Sequence, residues 1–262
     1  MAQQTQISRV VIFYKNWLRK FPTFSALAVA TKPAVLRAWS GLGYNNRALR
    51  LHALAKQVSN EFNGSLPKGV DELLQLPGIG KYTAHAIACL AFGKIVPVVD
   101  VNVRRFYSRV LWKSRSATDL RPESEIWEIA AHYLPKRRAA EWNQALMDIG
   151  ALICTARNPK CEVCPVHTLC VSAFSKTLRI NKKTEKKKEP SFKGIPRRIY
   201  RGRILKALHD KPLTSRQIAG RVVDHFQQSD VQWMNEILEK MKGDALITIQ
   251  GSGARKKVSI AR

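Results

Sequence analysis

The sequence predicts a mainly α-helical protein: a large helical body over residues 1–175, a basic linker over 176–198 and a small winged-helix-like module over 199–262. Three observations predict this. Apolar residues recur at three- and four-residue spacing through most of the first 150 positions, as in Ile7, Val10, Val11, Tyr14 and Leu18. Apolar content then collapses around Lys182-Lys183-Thr184-Glu185-Lys186-Lys187-Lys188, a solvated run too polar to fold alone. Beyond it, helical spacing returns and gives way to alternation at Ala245-Leu246-Ile247-Thr248-Ile249-Gln250, the mark of a strand.

Residues 1–20 read as one amphipathic helix, ended by Phe21-Pro22-Thr23, and Phe24–Ala30 begins the next. Lys32-Pro33 opens a helix that leads into the turn Ser40-Gly41-Leu42-Gly43-Tyr44, with Asn45, Asn46, Arg47 and Arg50 behind it. Asn45 and Asn46 fit either a cap on the following helix, Leu51–Phe62, or a face turned to a nucleic-acid groove. Gly64-Ser65-Leu66-Pro67 is a loop, and Val70–Leu74 a short helix that stops before Pro77. In Leu76-Pro77-Gly78-Ile79-Gly80, two glycines two residues apart allow successive N–H groups to converge on one point. The helix behind them, Tyr82–Phe92, adds its positive dipole end and Lys81 a full charge, which makes an anion clamp. After it, Asp100 and Asn102 are polar residues set among Val98, Val99, Val101 and Val103. A carboxylate there must be paired, solvated at a cleft, or used.

Val103–Trp112 is a helix whose Arg104, Arg105 and Arg109 either meet phosphate or are merely solvated. Glu123–Tyr133 is amphipathic, and Trp142–Gly150 is a core helix in which Asp148 is expected to cap or to pair with an arginine. In the module, Ile204, Leu205 and Leu208 mark one helix, Pro212-Leu213-Thr214-Ser215 caps a second at Arg216–Val223, and Val231–Lys242 is a third. A hairpin turning at Gly251-Ser252-Gly253 and returning over Lys256–Ala261 completes the winged-helix-like order.

The net charge of +26 and pI near 10.3 point to a polyanionic partner, nucleic acid before anionic membrane surface. No apolar run approaches the roughly 20 residues of a membrane span, and no leader is visible, so a monomer in the cytoplasm, associated with the nucleoid, is expected. Of the cysteines, Cys89 lies in an apolar helix and reads as a small buried hydrophobe. Cys154, Cys161, Cys164 and Cys170 form a C-x6-C-x2-C-x5-C array, which in a reducing compartment means zinc or an iron–sulfur cluster; spacing alone leaves both open.

The stretch LPGIGKYTAHAI followed by VDVNVRR resembles the helix–hairpin–helix DNA glycosylases, and among them the MutY-type adenine glycosylases. Gln3-Gln4-Thr5-Gln6, the Gly41-Leu42-Gly43-Tyr44 turn, and Trp142–Gly150, similar to the family's FNQAMMDLG, extend the resemblance. It implies a two-lobed glycosylase body in which Gly78, Gly80 and Lys81 grip DNA phosphates and Arg47 lies near the DNA. By the same resemblance, Gln3 and Gln4 probe the base pair, Asp100 is catalytic with Asn102 beside it, and the four cysteines hold a [4Fe–4S] cluster. Tyr82 stands where endonuclease III-type enzymes carry a Schiff-base lysine; tyrosine cannot do that chemistry, so base removal without strand cleavage is implied. The implied substrate is double-stranded DNA containing a mismatch, with adenine opposite 8-oxoguanine or guanine. A thymine or uracil glycosylase of G·T and G·U mispairs and a non-catalytic DNA-binding relative are the alternatives. In the family a catalytic glutamate lies two residues before the position of Met1, so a shortened start is expected. The family's usual α/β domain for 8-oxoguanine has no counterpart here.

Overall fold

Helical spacing in the sequence becomes helix along most of the chain, in a computed structural model that describes residues 1, 7–114, 119–175, 189–251 and 256–261. The expected basic linker lies largely outside the described residues. Two compact units form, Met1–Leu66 together with Lys187–Arg262, and Pro67–Lys186.

The first unit starts with α1 (Ile7–Lys20), α2 (Phe24–Ala28), α3 (Lys32–Trp39) and α4 (Asn46–Glu61). Thr23 and Thr31 set two of the starts: each hydroxyl accepts a backbone N–H three residues on, from Ala26 at 3.1 Å and Ala34 at 3.3 Å. Trp17 packs edge-on against Phe21 and Trp39, at centroid distances of 4.9 and 5.3 Å. At the other end of the chain, a hairpin of β1 (Ser191–Phe192) and β2 (Ile195–Pro196) leads into α10 (Arg197–Ala207); α5 to α9 belong to the second unit. Next come β3 (Leu213–Thr214), α11 (Ser215–Val222), α12 (Val231–Gly243), β4 (Ile247–Gln250) and β5 (Lys257–Ile260). The sheet order is β3-β5-β4, with Val258 between Leu213 and Ile249, which is the winged-helix-like arrangement of three helices and a hairpin. Thr214 and Gln217 cap α11 reciprocally.

These units do not follow the boundaries drawn from composition. One apolar cluster takes in Trp17, Phe21, Leu36 and Trp39 from the first helices and Tyr200, Ile204, Ile218 and Ile237 from the last. Composition reads the polar linker, but not which apolar faces will share a core.

The second unit holds α5 (Val70–Leu74), α6 (Lys81–Ala86), α7 (Val101–Trp112), α8 (Glu123–His132) and α9 (Ala139–Asp148). Both α6 and α9 run on into one turn of π-helix, at Ile87–Ala91 and Ile149–Ile153. Val99, Val103, Phe106, Ile126, Trp127 and Leu146 form its main core, and Cys89, Val98 and Ala139 a smaller one, so Cys89 is the buried hydrophobe expected. Among the described residues no helix is long and apolar enough to cross a membrane.

Candidate functional site

The turn between α5 and α6 is built as its sequence requires. Gly78 has φ +83°, closed to most side chains, and Ile79 N–H closes the turn on Leu76 O at 3.1 Å. Gly80 is the residue before α6, at φ −99°, an angle open to any residue. A Cβ there would meet no protein atom within 4 Å, so the turn leaves room beside its backbone. Lys81 places Nζ 4.3 Å from the centre of the Trp127 ring, which the His85 ring also meets at 4.5 Å. His85 also bonds Pro97 O through Nδ1 at 2.9 Å, tying α6 to the segment that ends at Asp100.

That segment is extended, and Asn143 of α9 holds it. The buried amide accepts Val98 N–H at 2.9 Å and donates to Val96 O at 3.0 Å, Ala139 O at 2.9 Å and Cys89 Sγ at 3.3 Å. Asp100 then caps α7. Its Oδ1 accepts the N–H groups of Asn102 and Val103, both at 2.8 Å, and its Oδ2 accepts Asn102 Nδ2 at 2.8 Å. The carboxylate is thus fixed in plane, with an acceptor position left on Oδ2. Asn102 in turn accepts Arg105 Nη2 at 2.9 Å, and Arg105 also donates to Gly150 O and, at 2.9 Å, to Cys154 O. A Cβ on Gly150 would lie 2.8 Å from Asn102 Cβ, so only glycine lets α7 and the end of α9 approach this closely. Burial, and after it the nearby Arg109, lower the Arg105 pKa from its ordinary value.

Arg109 is 1% exposed and donates to Thr155 O at 2.7 Å, Ala156 O at 3.0 Å and Cys154 Sγ at 3.4 Å. Neither Arg105 nor Arg109 is therefore on a solvated face awaiting phosphate. Both are buried braces between α7 and the cysteine loop. Arg104, the third, donates to Arg121 O at 2.8 Å.

Cys154, Cys161, Cys164 and Cys170 are free thiols lining one cavity with Phe106 and Arg109. The four thiols surround one shared space, as the ligands of a polynuclear iron–sulfur cluster do, each holding one iron. Burial, and after it the other three sulfurs, raise the Cys170 thiol.

Tyr82, at the start of α6, is 40% exposed; its hydroxyl meets Met147 Sδ at 3.9 Å rather than Asp100. Burial first and the Asp100 charge second push the phenol up, so it stays protonated at neutral pH. Arg47 is turned inward: it donates to Met1 O at 3.1 Å and Leu42 O at 3.4 Å and lies over the Trp39 and Tyr44 rings, bracing the Gly41–Tyr44 turn. Asn45 precedes α4 without a capping bond from its side chain. Asp148 accepts Gln144 Nε2 at 2.9 Å, one turn back on α9, where a cap or an arginine partner was expected. Gln3 and Gln4 lie outside the described residues. Asn143, Arg105, Arg109 and Gly150 are the site residues that sequence reasoning missed. The signal available was a pair of arginines four apart on the apolar face of α7.

The family profile of the HhH-GPD superfamily of base excision DNA repair proteins matches residues 1–132, and that of the iron-sulfur binding domain of endonuclease III matches residues 154–170. The chain is 37% identical over 256 residues to the adenine DNA glycosylase of Mycolicibacterium smegmatis, covering 97% of this chain and 83% of that protein. Among solved structures, a thermostable thymine-DNA glycosylase matches with a TM-score of 0.60 at 33% identity, over 65% of this chain and 79% of that one. Endonuclease III in a non-covalent complex with DNA matches at 0.55 and 25% identity, over 66% and 79%.

Proposed function

The chain belongs to the HhH-GPD superfamily of base excision DNA repair proteins, and from that premise we propose that it hydrolyses the N-glycosidic bond of adenine mispaired with 8-oxoguanine or guanine, without cutting the strand. The enzyme class is DNA glycosylase, and its cofactor is the iron–sulfur cluster of Cys154, Cys161, Cys164 and Cys170. The observation that carries the catalytic reading is the Asp100 carboxylate, held by three donors and backed by Asn143 and Arg105.

The target nucleotide must leave the stack, at a cost of a few kcal/mol that is least for a mispair. As the bond from base to sugar breaks, the base departs with the electron pair and positive charge grows on the sugar. Asp100, already oriented, stabilises that charge without reorganising. Water then adds to the sugar carbon and loses a proton. By the resemblance, a carboxylic acid protonates the leaving base. Gly78, Gly80 and Lys81 would take the neighbouring phosphates, for which the open space at Gly80 gives room. Tyr82, a protonated phenol, offers no amine for a Schiff base, which supports hydrolysis without lyase chemistry. The cluster, when bound, supplies iron–thiolate bonds that pin residues 154–170 beside α7. The partner in this reading is mismatched duplex DNA, met by a monomer at the nucleoid.

The likeness to a thymine-DNA glycosylase favours one second reading, release of thymine or uracil opposite guanine. Single-turnover base release on duplexes carrying A·8-oxoG, A·G, T·G or U·G decides between them, using this chain and a version extended upstream of Met1. Adenine release is expected. Thymine or uracil release selects the second reading, and no release from either version refutes both.

A further inference from the structure

Lys81 and His85 lie four residues apart on one face of α6, and both meet the same indole, that of Trp127 on α8. Lys81 Nζ sits 4.3 Å from the ring centre, and the His85 ring approaches at 4.5 Å, tilted by 55°. The indole itself is fixed. Trp127 is 6% exposed, and its Nε1–H donates to Glu123 Oε1 at 3.1 Å. Its ring belongs to the core that holds Val99 and Val103, which flank Asp100 in the sequence.

Lys81 is nonetheless an exposed residue, so its ammonium rests on an immobile ring while the side chain stays open to solvent. A bare surface lysine spreads over many rotamers, and a ligand that uses it must first order it. A cation seated on an aromatic face is held in place beforehand. The indole also joins this lysine to the chain that ends at Asp100, directly through Val99 and by way of His85, which bonds Pro97 O at 2.9 Å.

We propose that Trp127 is a positioning residue for DNA binding: its ring holds the Lys81 ammonium where a backbone phosphate meets it. The inference rests on the reading that Gly78, Gly80 and Lys81 take phosphates, and it adds to them a residue too buried to touch DNA itself.

The test is fluorescence anisotropy of a labelled duplex carrying an A·G mispair, titrated with the cluster-loaded full chain at several salt concentrations. Lys81→Gln should weaken binding and lower the slope of log affinity against log salt by about 1, as the loss of one phosphate contact does. Trp127→Leu should weaken binding about two- to fivefold with the slope unchanged, because the charge is still present but no longer held. Trp127→Phe keeps a ring and should bind within about twofold of the parent chain. In the Lys81→Gln background, Trp127→Leu should weaken binding no further. Equal weakening in both backgrounds would mean that Trp127 acts only through the fold, which overturns the proposal and leaves the phosphate reading standing. An unchanged slope in Lys81→Gln overturns both. A measurement on the unaltered chain is independent of folding defects. The Lys81 Cε protons should resonate upfield of those of other lysines, under the ring current, and stay there when duplex is added. Their return to the ordinary position on binding would show the lysine leaving the ring to reach DNA, and would overturn the proposal as well.

Discussion

Asp100 does two jobs with one side chain, and substitution can separate them. Capping α7 needs only an acceptor oxygen; stabilising a sugar cation needs a negative charge. Asparagine caps as well as aspartate. Asp100→Asn should therefore keep the cap on α7 and duplex affinity while abolishing base release, at a cost in urea stability of about 1 kcal/mol because its NH2 faces the Asn102 Nδ2 donor. Asp100→Ala should lose the same activity and also about 1 kcal/mol of stability. Asn143 makes the complementary case. It touches no substrate in the proposed mechanism, yet Asn143→Ala strips partners from Val98 N–H and Val96 O in a buried setting. About 2–6 kcal/mol of destabilisation should appear in a denaturant titration, each of the two orphaned groups contributing about 1–3.

At the scale of elements, α7 is the part that joins the two halves of the site. Its first turn carries Asp100 and Asn102, its middle carries Arg105 and Arg109, and the carbonyls of the cysteine loop receive the arginines. Arg105→Lys keeps the charge but loses the fork that reaches Asn102 and Cys154 together. We expect faster bleaching of the cluster's visible absorbance under a chelator, and slower base release in the protein that keeps its cluster. Normal values for both would sink the bracing role. Gly150→Ala should act on the same contact, because the new methyl meets Asn102 Cβ and backbone at once, at a cost of about 1–3 kcal/mol. The sequence disclosed the order of these parts, hairpin, aspartate and cysteines, because each is signalled by residue types with special backbone or ligand chemistry. It did not disclose the arginines. Most of their partners are main-chain carbonyls, which have no letter in a sequence, so their place on the apolar face of α7 carried no sign of what they would meet. The sharing of one core by the first and last helices escaped for a related reason: amphipathic faces are local, and their pairing across the chain is not.

For the whole molecule, charge and buried histidine govern response to conditions. With a net charge of +26, affinity for undamaged duplex should fall steeply and linearly as log salt rises. A flat response would deny that phosphate contacts dominate binding. His52, His85 and His209 are all held below their ordinary pKa, burial being the largest cause in each. On acidification the unfolded chain therefore takes up protons first, and stability is lost. Melting temperature should hold above about pH 6.5 and drop as pH falls below it.

The two π-helical turns carry a consequence for how such a chain can vary. Each is the equivalent of one residue inserted into an α-helix, and they lie at Ile87–Ala91 and Ile149–Ile153. Removing Ala151 or Leu152 would return the second turn to α-helix and leave the downstream chain in register, because the wide turn already absorbs the extra residue. What would be lost is local: the widened turn is where Gly150 O meets Arg105. A single-residue deletion there should therefore still fold, and should show its effect as faster bleaching of the cluster under a chelator.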